Sequence, residues 1–143
     1  MKKKEIGKEK EARLIPLPKI VDSRGNLSFV EYDAHIPFKI ERVYWIYDVP
    51  GGQNRGGHAF KKQQEFIIAL SGSFDVVAEK GKDNSIFSLN RSYYGLYIPP
   101  GIWRQMQNFS TNSVALVLTS TLYSEDDYIR DYKDFRIYNK MNE

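Results

Sequence analysis

Residues 52–72 read GQNRGGHAFKKQQEFIIALSG. Glycines open and close the stretch, and its second half, Glu65 to Leu70, is dense in residues that favour a pleated strand. On an extended chain His58, Phe60 and Lys62 share one face, and Glu65 falls on the other. For His58 and Glu65 to look into one interior, the chain must bulge or turn between residues 60 and 65. Such a bulge or turn would carry the imidazole and the carboxylate toward a common space.

Outward from this segment the same grammar repeats. Segments near 26–32, 40–48, 65–70, 73–79, 95–98, 103–108 and 114–121 are rich in β-branched and aromatic residues. Turn signals separate them: Ser23 to Asn26, Pro50 to Gly52, Ser71-Gly72, Gly81 to Asn84 and Pro99 to Gly101. Many short strands with regular turns predict an all-β sandwich or barrel without repeats or a second domain. Pro16 and Pro18 hold the chain extended and mark where the domain begins. Residues 1–12 are expected to be a charged flexible tail, with 13–143 forming one domain. One segment breaks the pattern. Ser124, Glu125, Asp126 and Asp127 resemble a capping-box start, and Tyr128, Ile129, Tyr132 and Phe135 recur at helical spacing. A short amphipathic C-terminal α-helix is expected there, its aromatic stripe packed on the barrel as core rather than around a cofactor.

Composition narrows the function. The net charge of +3 is mostly local, because residues 1–12 hold five Lys against three Glu. The remainder is near neutral, which argues against nucleic-acid binding. The absence of Cys excludes a disulfide framework, thiolate catalysis and Cys-ligated zinc. No apolar run reaches the ~18 residues of a membrane span, and the lysine-rich start lacks the apolar segment of a signal peptide. A cytoplasmic protein without a membrane partner is the expectation.

The spacing of residues 52–72 resembles the first cupin motif, G-x5-H-x-H-x4-E-x6-G, with Phe60 in place of the second histidine. The second motif, P-x-G-x2-H, is matched by Pro99 to Arg104, with Asn108 four residues on and Arg104 where the last ligand belongs. This likeness implies a jelly-roll β-barrel that has kept its pocket and lost its metal, since an apolar ring and a permanent cation are not ligands. His58 and Glu65 alone would make a poor iron site, which disfavours a dioxygenase. Longer phrases are more specific: VDSRGNL at 21–27, IPFKIERVYWIYDVP at 36–50, RGGHAFKK at 55–62, ALSGSFDVV at 69–77, GLYIPPGIW at 95–103 and DDYIRDYKDF at 126–135. Together they resemble the dTDP-4-dehydro-6-deoxyglucose 3,4-ketoisomerases. The resemblance implies a metal-free homodimer with exchanged N-terminal strands that moves the carbonyl of a dTDP-linked 4-keto-6-deoxyhexose from C4 to C3. The product of such enzymes ordinarily goes to an aminotransferase serving surface-glycan synthesis. The family signature R-G-x-H-A-H-K is here Arg55 to Lys61, so the first histidine carries over to His58 and the second does not.

Such a reaction needs a base with a pKa near neutrality and a donor beside the developing enediolate oxygen. His58 suits the base role and Tyr44 the donor, with Arg55 and Arg104 available to stabilise negative charge. Arg24, Arg42 and Lys62 are candidates for the diphosphate, and Trp103 offers a flat apolar face for sugar or base. Glu65 is a second acid–base group or a partner for Lys61 or Lys62. His35 belongs to a surface loop. No glycine-rich phosphate loop followed by a helix occurs, and no cofactor is implied. Phe60 either is compensated, with isomerase activity kept, or reshapes the pocket. The alternatives are then a related sugar-nucleotide epimerase or a non-catalytic sugar-nucleotide-binding protein.

Overall fold

A computed structural model of the chain describes residues 10–142. Most of the expected tail lies outside the described residues. The strands are β1 (Arg13–Pro16), β2 (Lys19–Ile20), β3 (Leu27–Ser28), β4 (Arg42–Tyr47), β5 (Arg55–Phe60), β6 (Glu65–Ser71), β7 (Phe74–Lys80), β8 (Asp83–Leu89), β9 (Tyr94–Ile98), β10 (Trp103–Gln107), β11 (Val114–Thr119) and β12 (Tyr128–Ile129). One helix, α1 (Tyr132–Met141), follows them. Two five-stranded antiparallel sheets result, ordered β1-β9-β6-β11-β4 and β12-β5-β10-β7-β8, while β2 and β3 pair as a separate hairpin. This is the all-β architecture with a short C-terminal helix that the turn pattern predicts.

Alternation along the strands builds three apolar layers. The inward residues of both sheets meet in the main core, which includes Ile67, Val76, Leu96, Met106 and Val117. On the outer face of the first sheet, Ile15, Phe66, Ile68, Tyr97 and Leu118 are covered by Leu17, Ile36 and Phe38. On the outer face of the second, Ala59, Ile129 and Phe135 pack with Trp103 and Tyr138, seating α1. Each fully buried aliphatic or phenyl side chain contributes about 1.5–3 kcal/mol.

The change of direction required between residues 60 and 65 is present. β5 lies in the second sheet and β6 in the first, and the link between them is held from outside by Asp127. Its carboxylate accepts from the backbone N–H of Lys62 (2.8 Å) and Gln63 (3.0 Å), and its carbonyl accepts from Lys61 N–H (3.0 Å). His58 and Glu65 consequently face the same interior despite their opposite parity.

The C-terminal expectation needs correction. The helix starts at Tyr132, not after Ser124. Asp131 is its N-cap, accepting from the N–H groups of Lys133 (2.8 Å) and Asp134 (3.1 Å), whereas Ser124 makes no side-chain cap and heads a single 3-10 turn, Glu125–Asp127. The acids of that turn have other work, Asp127 on the β5–β6 link and Glu125 on Arg130. Tyr128 and Ile129 are extended and pair with Phe60 and Ala59, which buries Ile129. The strand expected near 26–32 contracts to the two residues of β3, and β8 occupies part of a stretch read as a turn.

Candidate active site

Four strands of the two sheets supply the site. Alternation on β4 turns Arg42 and Tyr44 away from the exposed Val43, Trp45 and Tyr47. Glu65 opens β6, Arg104 lies on β10, and His58 stands directly opposite Arg104 on β5. Glu65 and Arg104 are fully enclosed, at 0% and 1% exposure. Their pairing is two-pronged: Arg104 Nε donates to Glu65 Oε1 at 2.7 Å and Nη2 to Oε2 at 2.9 Å. Tyr44 completes the ring, its hydroxyl accepting from Arg104 Nη2 at 2.9 Å and donating to Glu65 Oε2 at 2.9 Å. Arg104 Nη1 reaches the Gly56 carbonyl at 3.3 Å.

Gly56 is required for this packing. Its φ of +71° suits glycine, and a Cβ there would lie 2.2 Å from Arg104 Nη1. The same point is 3.6 Å from His58 Nε2, so the missing side chain leaves room where base and guanidinium converge.

The electrostatics follow from burial. Desolvation opposes the Arg104 charge, but the Glu65 carboxylate outweighs it and the guanidinium stays protonated. Burial, then the Glu65 carboxylate, pushes the Tyr44 phenol well above its ordinary range. For His58, burial first and the Arg104 and Arg130 charges after it push the pKa down to about 2, so the imidazole is neutral. Its Nδ1 is buried with no hydrogen-bond partner.

Phe60 stands beside this imidazole. The two rings meet edge to face at 4.8 Å, Tyr128 meets His58 at 5.1 Å, and Phe60 and Tyr128 are 4.5 Å apart. Beyond them lies a charged rim. Arg130 sits 4.0 Å over the Tyr128 ring and is paired with Glu125 through Nε (2.5 Å) and Nη2 (2.9 Å). Tyr123 also donates to Glu125. Arg42 lies over the rings of Tyr44 (4.8 Å) and Tyr123 (5.3 Å), with Nη1 buried and unpartnered.

Of the residues expected in the site, His58, Tyr44, Glu65, Arg104 and Arg42 come together. Glu65 pairs with Arg104 and not with Lys61 or Lys62, and Arg104 is a buried cation held by Glu65 rather than a free charge at the mouth. Trp103 faces away from Arg104 on β10 and packs against Tyr132 (5.3 Å) and Phe135 (5.6 Å), so it offers no face to this pocket. Arg55 is exposed at the start of β5, beside a cleft of about 470 Å³ lined by Trp45, Tyr47 and Asn54. Lys62 is exposed beyond the other end of that strand. Arg24, its side chain 88% exposed, pairs with Asp22 on the turn of the β2–β3 hairpin. His35 is in a loop, its Nδ1 accepting from Glu31 N–H at 2.8 Å. Tyr128, Arg130, Glu125 and Tyr123 were not anticipated. Their signal was the alternation of Tyr128 and Arg130, masked by the helical stripe.

A metal ion does not fit the four motif positions. Phe60 has no donor atom, Arg104 has no lone pair, and both Glu65 oxygens are engaged by Arg104. Among the described residues no group of three or more His, Cys, Asp or Glu could hold one.

The family model FdtA, described as WxcM-like, C-terminal, matches residues 10–140. The chain belongs to the FdtA family. It is 41% identical over 128 residues to the TDP-4-oxo-6-deoxy-alpha-D-glucose-3,4-oxoisomerase of Aneurinibacillus thermoaerophilus, covering 90% of this chain and 92% of that one. The crystal structure of QdtA, a sugar 3,4-ketoisomerase from Thermoanaerobacterium thermosaccharolyticum in complex with TDP, superposes with a TM-score of 0.89. It is 38% identical and covers 92% of this chain and 96% of that one. The TDP-quinovose 3,4-ketoisomerase WlaRB of Campylobacter jejuni gives a TM-score of 0.85 at 40% identity, with coverage of 90% and 98%.

Proposed function

We propose that this chain is a sugar-nucleotide 3,4-ketoisomerase that moves the carbonyl of a dTDP-4-keto-6-deoxyhexose from C4 to C3. The likeness to ketoisomerases along nearly the whole chain supports the reaction class. The observation that carries the reading is His58, 7% exposed, unprotonated and directly opposite Arg104; its pKa lies below the near-neutral value that the reaction asks of a base, and the negative charge of a bound diphosphate and of the enediolate would raise it. His58 lifts the proton from C3, which the C4 carbonyl acidifies, and leaves an enediolate across C3 and C4. The proton is set down on C4 while the hydroxyl proton passes from O3 to O4. Arg104 supplies positive charge beside the enediolate. Tyr44 has its one proton committed to Glu65, so it serves by fixing Arg104 in place. Arg42, with Nη1 uncommitted, is the first candidate for the substrate diphosphate, followed by the exposed Arg55 and Lys62.

The reaction is proposed to be metal-independent, with the Arg104 guanidinium where a cupin would hold its ion. The proposed assembly is a homodimer exchanging N-terminal segments. Ile20, Val21 and Leu27 are exposed on the hairpin of β2 and β3, apolar surface near the N-terminus that a partner would cover. A cytoplasmic location and a step in deoxyamino-sugar and surface-glycan biosynthesis complete the proposal. NMR of dTDP-4-keto-6-deoxyglucose incubated with the protein tests it: a C3 carbonyl is expected, and the coupling of the C4 proton names the epimer. Bound but unchanged substrate would instead make this a sugar-nucleotide-binding protein.

A further inference from the structure

Among the described residues none hydrogen-bonds to the imidazole of His58, and its Nδ1 is buried. Phe60, at 4% exposure, presents a phenyl edge on one side, and the ring of Tyr128 closes another. Phe60 has no atom that accepts a proton. Near Nε2 is the guanidinium of Arg104, which has only donors, and Nδ1 is enclosed without a partner. The carboxylate whose charge acts on His58 is that of Glu125, which is already held by Arg130 and Tyr123. A histidine at position 60 would change this, since imidazole both donates and accepts and would connect His58 to the rim.

We infer that Phe60 is a positioning residue that isolates His58 as a single base, so that the hydrogen removed from C3 is the one delivered to C4. This rests on the ketoisomerase reading. The balance is closed within the substrate. The C3–H bond breaks as the imidazolium N–H forms; that N–H breaks as the C4–H bond forms. The O3 proton moves to O4, and no electrons leave the sugar.

The test runs the full-length protein on dTDP-4-keto-6-deoxyglucose in D2O and measures deuterium at C4 of the product at low conversion. The wild type is expected to give product carrying mostly protium at C4. Phe60→His should raise the deuterium content roughly tenfold by admitting proton leakage, whereas Phe60→Leu, apolar and without a relay, should stay within about twofold of the wild type. A C3 ketone with solvent-level deuterium at C4 in the wild type overturns the inference alone. So does equal deuterium in the wild type and Phe60→His, or in Phe60→Leu and Phe60→His. Absence of any C3 ketone from bound substrate overturns the ketoisomerase reading and this inference with it.

Discussion

Replacing His58 with Gln should flatten the acid side of the stability profile. In the fold the imidazole titrates at about 2, held down by burial and then by Arg104 and Arg130, while in the unfolded chain it returns to an ordinary value near 6.5. The folded pKa is thus depressed for a group that is charged when protonated. Below pH ~6.5 the unfolded state binds a proton that the folded state refuses, and stability falls as the pH falls. The slope approaches about 1.4 kcal/mol per pH unit, so lowering the pH from ~7.5 to ~5.0 costs the wild type about 2 kcal/mol through this one residue. Glutamine does not titrate, and the carboxylates contribute alike to both proteins. The difference in unfolding free energy between wild type and His58→Gln, from urea titrations at one protein concentration, should therefore shift by that amount across the window. Parallel profiles would refute the argument, because they would mean that His58 takes up its proton in the fold as readily as outside it. The same geometry has a kinetic counterpart. The acid limb of kcat/KM, which reports the free enzyme's base, should be absent near pH 6.5 and lie well below it; a limb at 6.5 would contradict the neutral imidazole.

Three further outcomes follow from the site's packing. Glu65→Gln leaves the buried Arg104 without its counter-charge and should lower the unfolding free energy by about 3 kcal/mol; a loss below about 1 kcal/mol in urea titration would mean that the ring contributes little. Gly56→Ala forces a side chain against Arg104 Nη1 and should lower kcat about a hundredfold, a misplacement effect that kcat near wild type would disprove. Trp103→Ala strips the contact with Tyr132 and Phe135 and should cost about 2 kcal/mol with KM unchanged; a raised KM at unaltered stability would return Trp103 to the substrate.

What the sequence discloses depends on how local the cause is. β6 and β9 are visible because apolar and aromatic residues run up to the turn signals Ser71-Gly72 and Pro99 to Gly101, and β11 because Val114 to Leu118 is an unbroken apolar run. β8 is not, because it is an edge strand with most of its residues exposed, and its DNSIFSL composition looks like a loop. β5 hides behind Gly56-Gly57, although Gly56 is there to admit Arg104. The helix start was misplaced because two acidic segments compete for one cap, and only tertiary contacts assign Asp127 to the β5–β6 link and Asp131 to the helix. In the site, motif spacing points to His58 and Glu65. The partners of Glu65 lie 21 and 39 residues away in sequence, and no periodicity encodes which side chains two facing sheets will bring into register.

The exchange of two motif positions is better understood jointly than singly. A guanidinium has five N–H donors. In Arg104 the bonds to Glu65, Tyr44 and Gly56 engage Nε, both hydrogens of Nη2 and one of Nη1. One Nη1 hydrogen stays uncommitted, at the atom that converges with His58 Nε2 on the space kept open by Gly56. Burying such a cation is costly unless its partners are near ideal, and Glu65 meets that condition only because it gives both oxygens to Arg104. Arginine at position 104 therefore takes up the carboxylate that a metal would need. A histidine at position 60 would then have no ion to bind, and its remaining effect would be to connect His58 to the rim. Under the ketoisomerase reading, one fixed donor and one isolated base facing a single opening are sufficient for a proton that leaves C3 and returns one carbon away.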